Sequence, residues 1–438
     1  MAFPLSIVEF THNFTDFQRS ENAINTMKLS ILDWTAVAIT GRTESVSNVV
    51  LKMIANECGT PESFIFGSNV KFPARSAALI NGVASHALDY DDTNFLYLGH
   101  PSVVVNSAVL AVANMVDLSL KEAIECSLIG CEVATRVGIW LGKDHYNKGF
   151  HITSTAGVFG AAMGSSRALG LSEEATKNAL NLAASRASGL KVQFGTMGKP
   201  YHAGMASSSG VEVALLASHG MKACDNAFDG DYGFAAVYGC NAMGLEDFFG
   251  SDFLFEKVKY KFHACCHGTH AAIEALAFLK NNYQLKRKEI RNIVISVHQK
   301  FATVCNILEP KSGSEIKFSY RMIAAMQMFD FDTAKLESFS DKHCADHQLI
   351  EFRKRVTVKF EHNLRDGQAL VQVLLYSGKS HSKKIDLENN SDINSLRVRV
   401  RKKAETLVGS AVEKQIWAML QDKRISSNSF MQFLTNFF

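Results

Sequence analysis

The chain has 438 residues, 47% of them hydrophobic and 20% charged, and a net charge of +3. That length exceeds one ordinary hydrophobic core and predicts two domains, while the composition excludes a disordered chain. The Lys/Arg clusters at 286–291, 353–355 and 397–403 are short, which argues against nucleic-acid binding, where basic charge concentrates on one face.

The N-terminal MAFPLSIVEFTHNF has no basic start, sustained apolar run or small-residue cleavage motif, so no signal peptide is read there. From about 20 to 220 the pattern is helix after helix. Ile24, Met27, Ile31, Leu32 and Ala36 give 22–40 a helical period. Pro73 and Pro101 stand where helices open, a position that suits proline. Ser119 and Glu122 form a capping-box pattern before an apolar helix over 123–141, and Ser172 starts another that runs to Ala187. The most apolar run, 103–116, is interrupted by Asn106, Ser107 and Asn114 and falls short of a membrane span. Stretches such as AGVFGAAMGSSRALG are rich in small residues, which let helices approach closely.

Near 260 the character changes. Residues 292–301, 355–362 and 369–379 read as strands, with helical stretches at 266–283 and 314–329. Helix returns after about 392, and the tail SFMQFLTNFF is too apolar to hang free. The expected fold is mainly α: a large all-helical domain over 1–260, completed by 400–438, and a smaller α+β domain over 261–399. Nine cysteines without regular spacing read as reduced thiols of a cytoplasmic protein.

Four segments carry chemistry. HALDYDDTNFLYLGHPS (86–102) places three acids, Thr93, His86 and His100 between two helical runs, on a loop of the kind that holds functional residues. Helix capping would explain Asp91, Asp92 or His100 singly, but two caps do not require the whole set. GTMGKPYHAG (195–204) holds Lys199 among glycines and a proline, with His202 nearby, in an expected loop. Such a lysine is a solvated surface group, a carboxylate anchor or a base. HYNKGFHITSTAG (145–157) sets Tyr146 and His151 before a helix start with Thr153, Ser154 and Thr155, hydroxyls that suit caps or an anion site. FHACCHGTH (262–270) contains ligand types used by zinc, but no Cys-x-x-Cys occurs in the chain to give finger or ribbon spacing.

In this order and at this spacing, HALDYDDT-GHPS, GFHITSTAG, GKPYHAGMAS and FHACCHGTHAAIEAL resemble the MmgE/PrpD family. That family includes 2-methylcitrate dehydratase, cis-aconitate decarboxylase and iminodisuccinate epimerase. The resemblance covers essentially the whole chain. It implies a helical domain, a smaller α+β lid domain, a homodimer, and a cleft between the domains. The cleft would take a small di- or tricarboxylate without metal or organic cofactor, and no membrane or nucleic acid would be a partner. Family roles carry over onto Asp89, Thr93, His100, His151 and Lys199, with His202 beside them.

The match is looser in FHACCHGTH, where His263-Ala264 replaces an aromatic-proline pair and leaves His267 and His270 as candidates to face the cleft. Its cysteines are expected to be buried at a helix start. In IKFSYRMIAA, Met322 stands where relatives place an aromatic residue, and Tyr320 is the substitute. The implied chemistry removes a proton beside a carboxylate, leaving an aci-carboxylate that needs positive or donor groups. His100, His151 and Lys199 would bind carboxylates, and any of His100, His151 and His202 that is protonated would add positive charge beside Lys199. Asp89 would orient a histidine. Tyr146 with Lys199 resembles the two-base pair of the epimerase and inclines the reading that way. A dehydratase with His151 as acid, a decarboxylase and a non-catalytic binding protein are the alternatives.

Overall fold

A computed structural model describes residues 3–15, 21–238, 252–389 and 392–436. In chain order it begins with α1 (Phe3–Asn13), α2 (Glu21–Gly41), α3 (Ser45–Ile54), the hairpin β1 (Ser63–Ile65) and β2 (Ser68–Phe72), and α4 (Ala74–His86). Then follow α5 (Pro101–Val116), α6 (Leu120–Asn147), α7 (Ile152–Ala168), α8 (Glu173–Ala184), α9 (Gly198–Ser218) and the short α10 (Phe234–Tyr238). Helix boundaries follow local signals. Pro101 is the first residue of α5, and Ser119 and Glu122 make a full capping box on α6. Gly142, at φ 73°, kinks α6 just past the apolar stretch, so the chain carrying His145 and Tyr146 leaves in a new direction. The hairpin β1–β2 corrects the expectation of an all-helical domain.

Helices α4 and α9 touch backbone to backbone. A Cβ on Gly82 would stand 2.8 Å from Gly204 Cα, and one on Gly204 would stand 2.3 Å from Leu79 O. That crossing sets the end of α4 beside the first turn of α9, while α7 packs along α5, α6 and α9. The C-terminus of α4 and the N-termini of α5, α7 and α9 therefore meet in one place.

The second part of the chain contains α11 (His267–Tyr283), β3 (Ile290–His298), α12 (Gly313–Ile316), α13 (Tyr320–Met328), α14 (His347–Arg353), β4 (Val356–Glu361), β5 (Gln368–Leu375) and β6 (Ser380–Asp386). The sheet order is β4-β3-β5-β6, with β3 and β4 parallel and the other pairs antiparallel. Helix α11 covers β5 and β6, and α13 packs on α11 and β4. The stretch expected as one helix over 314–329 is two, because Ser319 restarts the chain as the cap of α13.

The last helices are α15 (Ile393–Val408), α16 (Ser410–Gln421) and α17 (Ser427–Thr435). Helix α15 packs on α2, and α17 on α5 and β1 with Phe430 fully buried. Phe437 and Phe438 lie outside the described residues. The two compact units are 1–260 with 393–438, and 261–392; the return falls before the expected residue 400 because α15 belongs whole to the first unit. Among the described residues no helix is long and apolar enough to cross a membrane. Gly204→Val would drive a branched side chain into Leu79 O and Val83. It is expected to lower the unfolding free energy by about 2 kcal/mol or more, read as a lower urea midpoint at unchanged slope.

Candidate active site

The loop 87–100 turns sharply at Asp89, which adopts a left-handed conformation (φ 49°). Two residues on, Asp91 is completely buried and binds two imidazoles: His86 Nδ1 donates to Oδ1 at 2.9 Å and His100 Nδ1 to Oδ2 at 2.6 Å. Burial alone would raise this carboxyl, but the two histidines overcome it and hold Asp91 well below the usual carboxylate range. His100 occupies the N-cap position of α5 without capping it. Its backbone N–H donates to Thr153 Oγ1 at 3.1 Å, and its Nε2 lies 3.6 Å from Asp89 Oδ1. The same Asp89 oxygen accepts from Lys199 Nζ at 2.7 Å. Asp92 accepts from Ser102 Oγ at 2.5 Å. Capping thus explains neither Asp91 nor His100.

His151 likewise stands at the N-cap of α7 without capping it. Its Nδ1 is 3.1 Å from His202 Nδ1, so one ring donates and the other accepts. The His86 and His151 rings are stacked at 6.1 Å, and Phe194 meets His151 edge-on at 5.0 Å. Gly189, at φ 128°, accepts the His151 N–H on its carbonyl; a Cβ there would lie 3.1 Å from Ser154 Cβ, so only glycine lets the chain pass. The hydroxyls after His151 tie helices together. Thr153 joins α5, Ser154 donates to His202 O, and Thr155 pairs with His145 Nε2 at 2.9 Å. Lys199, expected in a loop, is in the first turn of α9, where Pro200 removes no intrahelical hydrogen bond.

Burial also decides the histidine charges. It drives His100 down to about 4 against the opposing pull of Asp91, and pushes His151 well below and His202 below the ordinary value, with neighbouring His86 adding to each. These imidazoles are neutral at pH 7, so the condition under which they would add positive charge beside Lys199 is not met. Positive potential comes instead from Lys199 and the converging N-termini of α5, α7 and α9. His86, Asp89, Asp91 and His100 each place a metal-ligand atom within 4.8 Å of the others. A cation there would have to displace Lys199 from Asp89 and both imidazole protons from Asp91.

The remaining expected residues have local partners of their own. The Tyr146 ring packs under Lys191, whose Nζ is 3.6 Å from the ring centroid and donates to Tyr146 O. Thr93 exchanges both backbone hydrogen bonds with Lys259. In the second unit His267 opens α11, with Cys266 half-buried at its N-cap and Cys265 buried before it. His270 is buried between the rings of His263 and His267 at 4.9 and 4.7 Å, with Nε2 at 3.3 Å from Cys265 O. Tyr320 is buried, and its hydroxyl donates to Gly268 O at 2.8 Å, bracing the first turn of α11. Asp91 and His86 join the site beyond the residues expected from sequence. Their signal was the spacing His-x4-Asp-x8-His across a helix end.

Residues 6–243 match the MmgE/PrpD N-terminal domain and residues 263–421 the MmgE/PrpD C-terminal domain. The chain belongs to the MmgE/PrpD family. It is similar to the cis-aconitate decarboxylase of Homo sapiens, 27% identical over 359 residues that cover 78% of this chain and 73% of that protein. It is also similar to the cis-aconitate decarboxylase of Aspergillus terreus, 25% identical over 390 residues, 82% of this chain and 79% of that one. This MmgE/PrpD protein is an enzyme of lyase or epimerase type. The C-terminal family match extends beyond 392, so it includes α15 and α16, which fold with the first unit.

Burial, with the charges of Asp33 and Asp91, raises the Asp92 carboxyl to about 7. The folded chain thus holds a proton there that the unfolded chain releases near pH 4. The stability this contributes is present at low pH and is lost as pH rises through about 7. His100 has the opposite sign, losing stability as pH falls from about 6.5 towards 4. The loss runs from about pH 4 to about 7 and the slope vanishes above that, so between about pH 6.5 and 7.5 its last part falls outside the His100 window. Asp92→Asn is expected to flatten the fall in unfolding free energy across that range, measured by urea titration at each pH.

Proposed function

We propose that Asp89, His100, His151 and Lys199 carry out proton transfer at a carbon beside a carboxylate of a small di- or tricarboxylate, without metal or organic cofactor. The favoured reaction is lyase chemistry, decarboxylation of an unsaturated tricarboxylate of the cis-aconitate kind, with dehydration of a β-hydroxy acid as the alternative. The observation that carries this reading is the chain Asp91–His100–Asp89–Lys199, in which a buried carboxylate orients an imidazole whose other nitrogen abuts an ion pair. Because Asp91 takes the Nδ1 proton, His100 presents a lone pair at Nε2, as a base must.

A substrate carboxylate exchanges with Asp89 for the Lys199 ammonium, aided by the helix N-termini. In decarboxylation the C–C bond breaks, carbon dioxide leaves, and the electron pair spreads onto the remaining conjugated carboxylate. A solvent proton, handed on through the neutral His202–His151 pair so that each ring regains what it gives, forms the new C–H bond. In dehydration His100 Nε2 takes the carbon-bound proton and later returns it to solvent, while a solvent proton passed through His202 and His151 meets the leaving hydroxyl, giving water. The two-base epimerase reading has less support, since Tyr146 packs on Lys191 while Lys199 pairs with Asp89. A homodimer, implied by the family resemblance, belongs to the same proposal, as does substrate contact by Thr93, His202, His267, His270 or Tyr320.

The test is turnover of citrate, 2-methylcitrate, cis-aconitate and iminodisuccinate in heavy water, followed by NMR. Consumption of cis-aconitate with carbon dioxide release and one deuterium per product is expected. Lys199→Ala and His151→Ala should each lower kcat/KM by about 10²–10⁴, with Tyr146→Phe close to wild type. Racemisation of iminodisuccinate, with Tyr146→Phe and Lys199→Ala each blocking deuterium uptake by one enantiomer, would establish the epimerase instead.

A further inference from the structure

Beneath the loop 87–100 lies a second set of charges that the proposed chemistry does not touch. Lys403, from the middle of α15, is only 3% exposed. Its Nζ lies 2.6 Å from Asp33 Oδ1 on α2, donates to Tyr90 O at 2.5 Å, and sits 4.2 Å from the Tyr90 ring centroid. Asp33 is 1% exposed. Tyr90 is the residue between Asp89, which holds Lys199, and Asp91, which holds His86 and His100.

A fully buried Lys–Asp pair is a poor route to stability, because apolar residues of similar volume do as well or better. What apolar side chains cannot supply is a charged donor fixed at the Tyr90 carbonyl. The loop needs such an anchor. Asp89 and Leu98 both hold left-handed backbone conformations at φ 49° and 60°, which persist in non-glycine residues only when their surroundings impose them.

We infer that Lys403 is a positioning residue, whose ammonium clamps the Tyr90 carbonyl so that Asp89 meets Lys199 while Asp91 bridges His86 and His100. Asp33 fixes the ammonium from the opposite helix. The link to catalysis rests on the function proposed above; the link to loop geometry does not.

The test is a double-mutant cycle with two readouts. Lys403→Met keeps the apolar stem but removes the cation beside the buried Asp33, so it is expected to be strongly destabilised. Asp33→Asn with Lys403→Met removes both charges and should regain most of the wild-type urea midpoint. Activity should not return with it: kcat should stay about 100-fold down, the loss that roughly 1 Å of misplacement brings, with a smaller change in KM. Proton NMR of the downfield imidazole N–H signals of His86 and His100 gives a readout that needs no substrate, and in the double variant these should shift or vanish. A double variant that recovers stability, wild-type imidazole signals and wild-type kcat would overturn the inference and leave Lys403 as a counterion for Asp33 alone. If the wild type turns over none of the four acids, the proposed function fails and the imidazole signals still decide the role of Lys403.

Discussion

A carboxylate with no access to water must find all its hydrogen-bond donors inside the protein, and Asp91 is such a group. Its two oxygens fix the positions of two histidines, one at the end of α4 and one at the start of α5. The loop between them has to close on itself, and the helix ends have to lie within reach of one short side chain. Breaking a buried pair by removing one partner costs about 3–5 kcal/mol, a large share of a domain's stability. The backbone contact of Gly82 with Gly204 completes the arrangement by bringing Lys199 and His202 to the same place.

Two kinds of ion pair in this cluster do different work. The Asp91 contacts are buried and permanent. The Asp89–Lys199 pair is looser, because the Asp89 side chain is 43% exposed. Exposed pairs contribute about 0–1 kcal/mol, so an incoming carboxylate can replace Asp89 on Lys199 at little cost. The neutral histidines fit that division. With proton carriers uncharged and positive charge confined to Lys199 and the helix ends, binding an anion does not by itself remove the base.

Much of this architecture was legible in the residue pattern, for reasons that are local. The capping box at Ser119, proline at the start of α5 and the motifs around Asp89, His151 and Lys199 depend on neighbours close in sequence. Strand β6, SHSKKID, escaped because it alternates polar residues at an exposed sheet edge and has no apolar face to announce it. The hairpin β1–β2 was too short to stand out within a run of helices. Gly-Lys-Pro around Lys199 has the composition of a chain break, although a first helical turn accepts the same residues. Tyr146 drew attention while its neighbour His145 is the side chain that turns inward, a choice made by the kink at Gly142. The neutral state of the histidines depends on burial, which no spacing records.

The return of the C-terminal helices to the first unit reverses the order in which this protein can be completed on the ribosome. Tyr90 emerges 313 residues before its clamp Lys403, a wait on the order of tens of seconds at about 5–20 residues per second. During that interval the Lys403 ammonium that pairs with Asp33 has not been made, and α5 lacks the helix that packs on it. The smaller unit, contained within 261–392, is synthesised entirely within the same interval. The domain that begins second is therefore the one that can finish folding first, while the larger domain waits for its final helices.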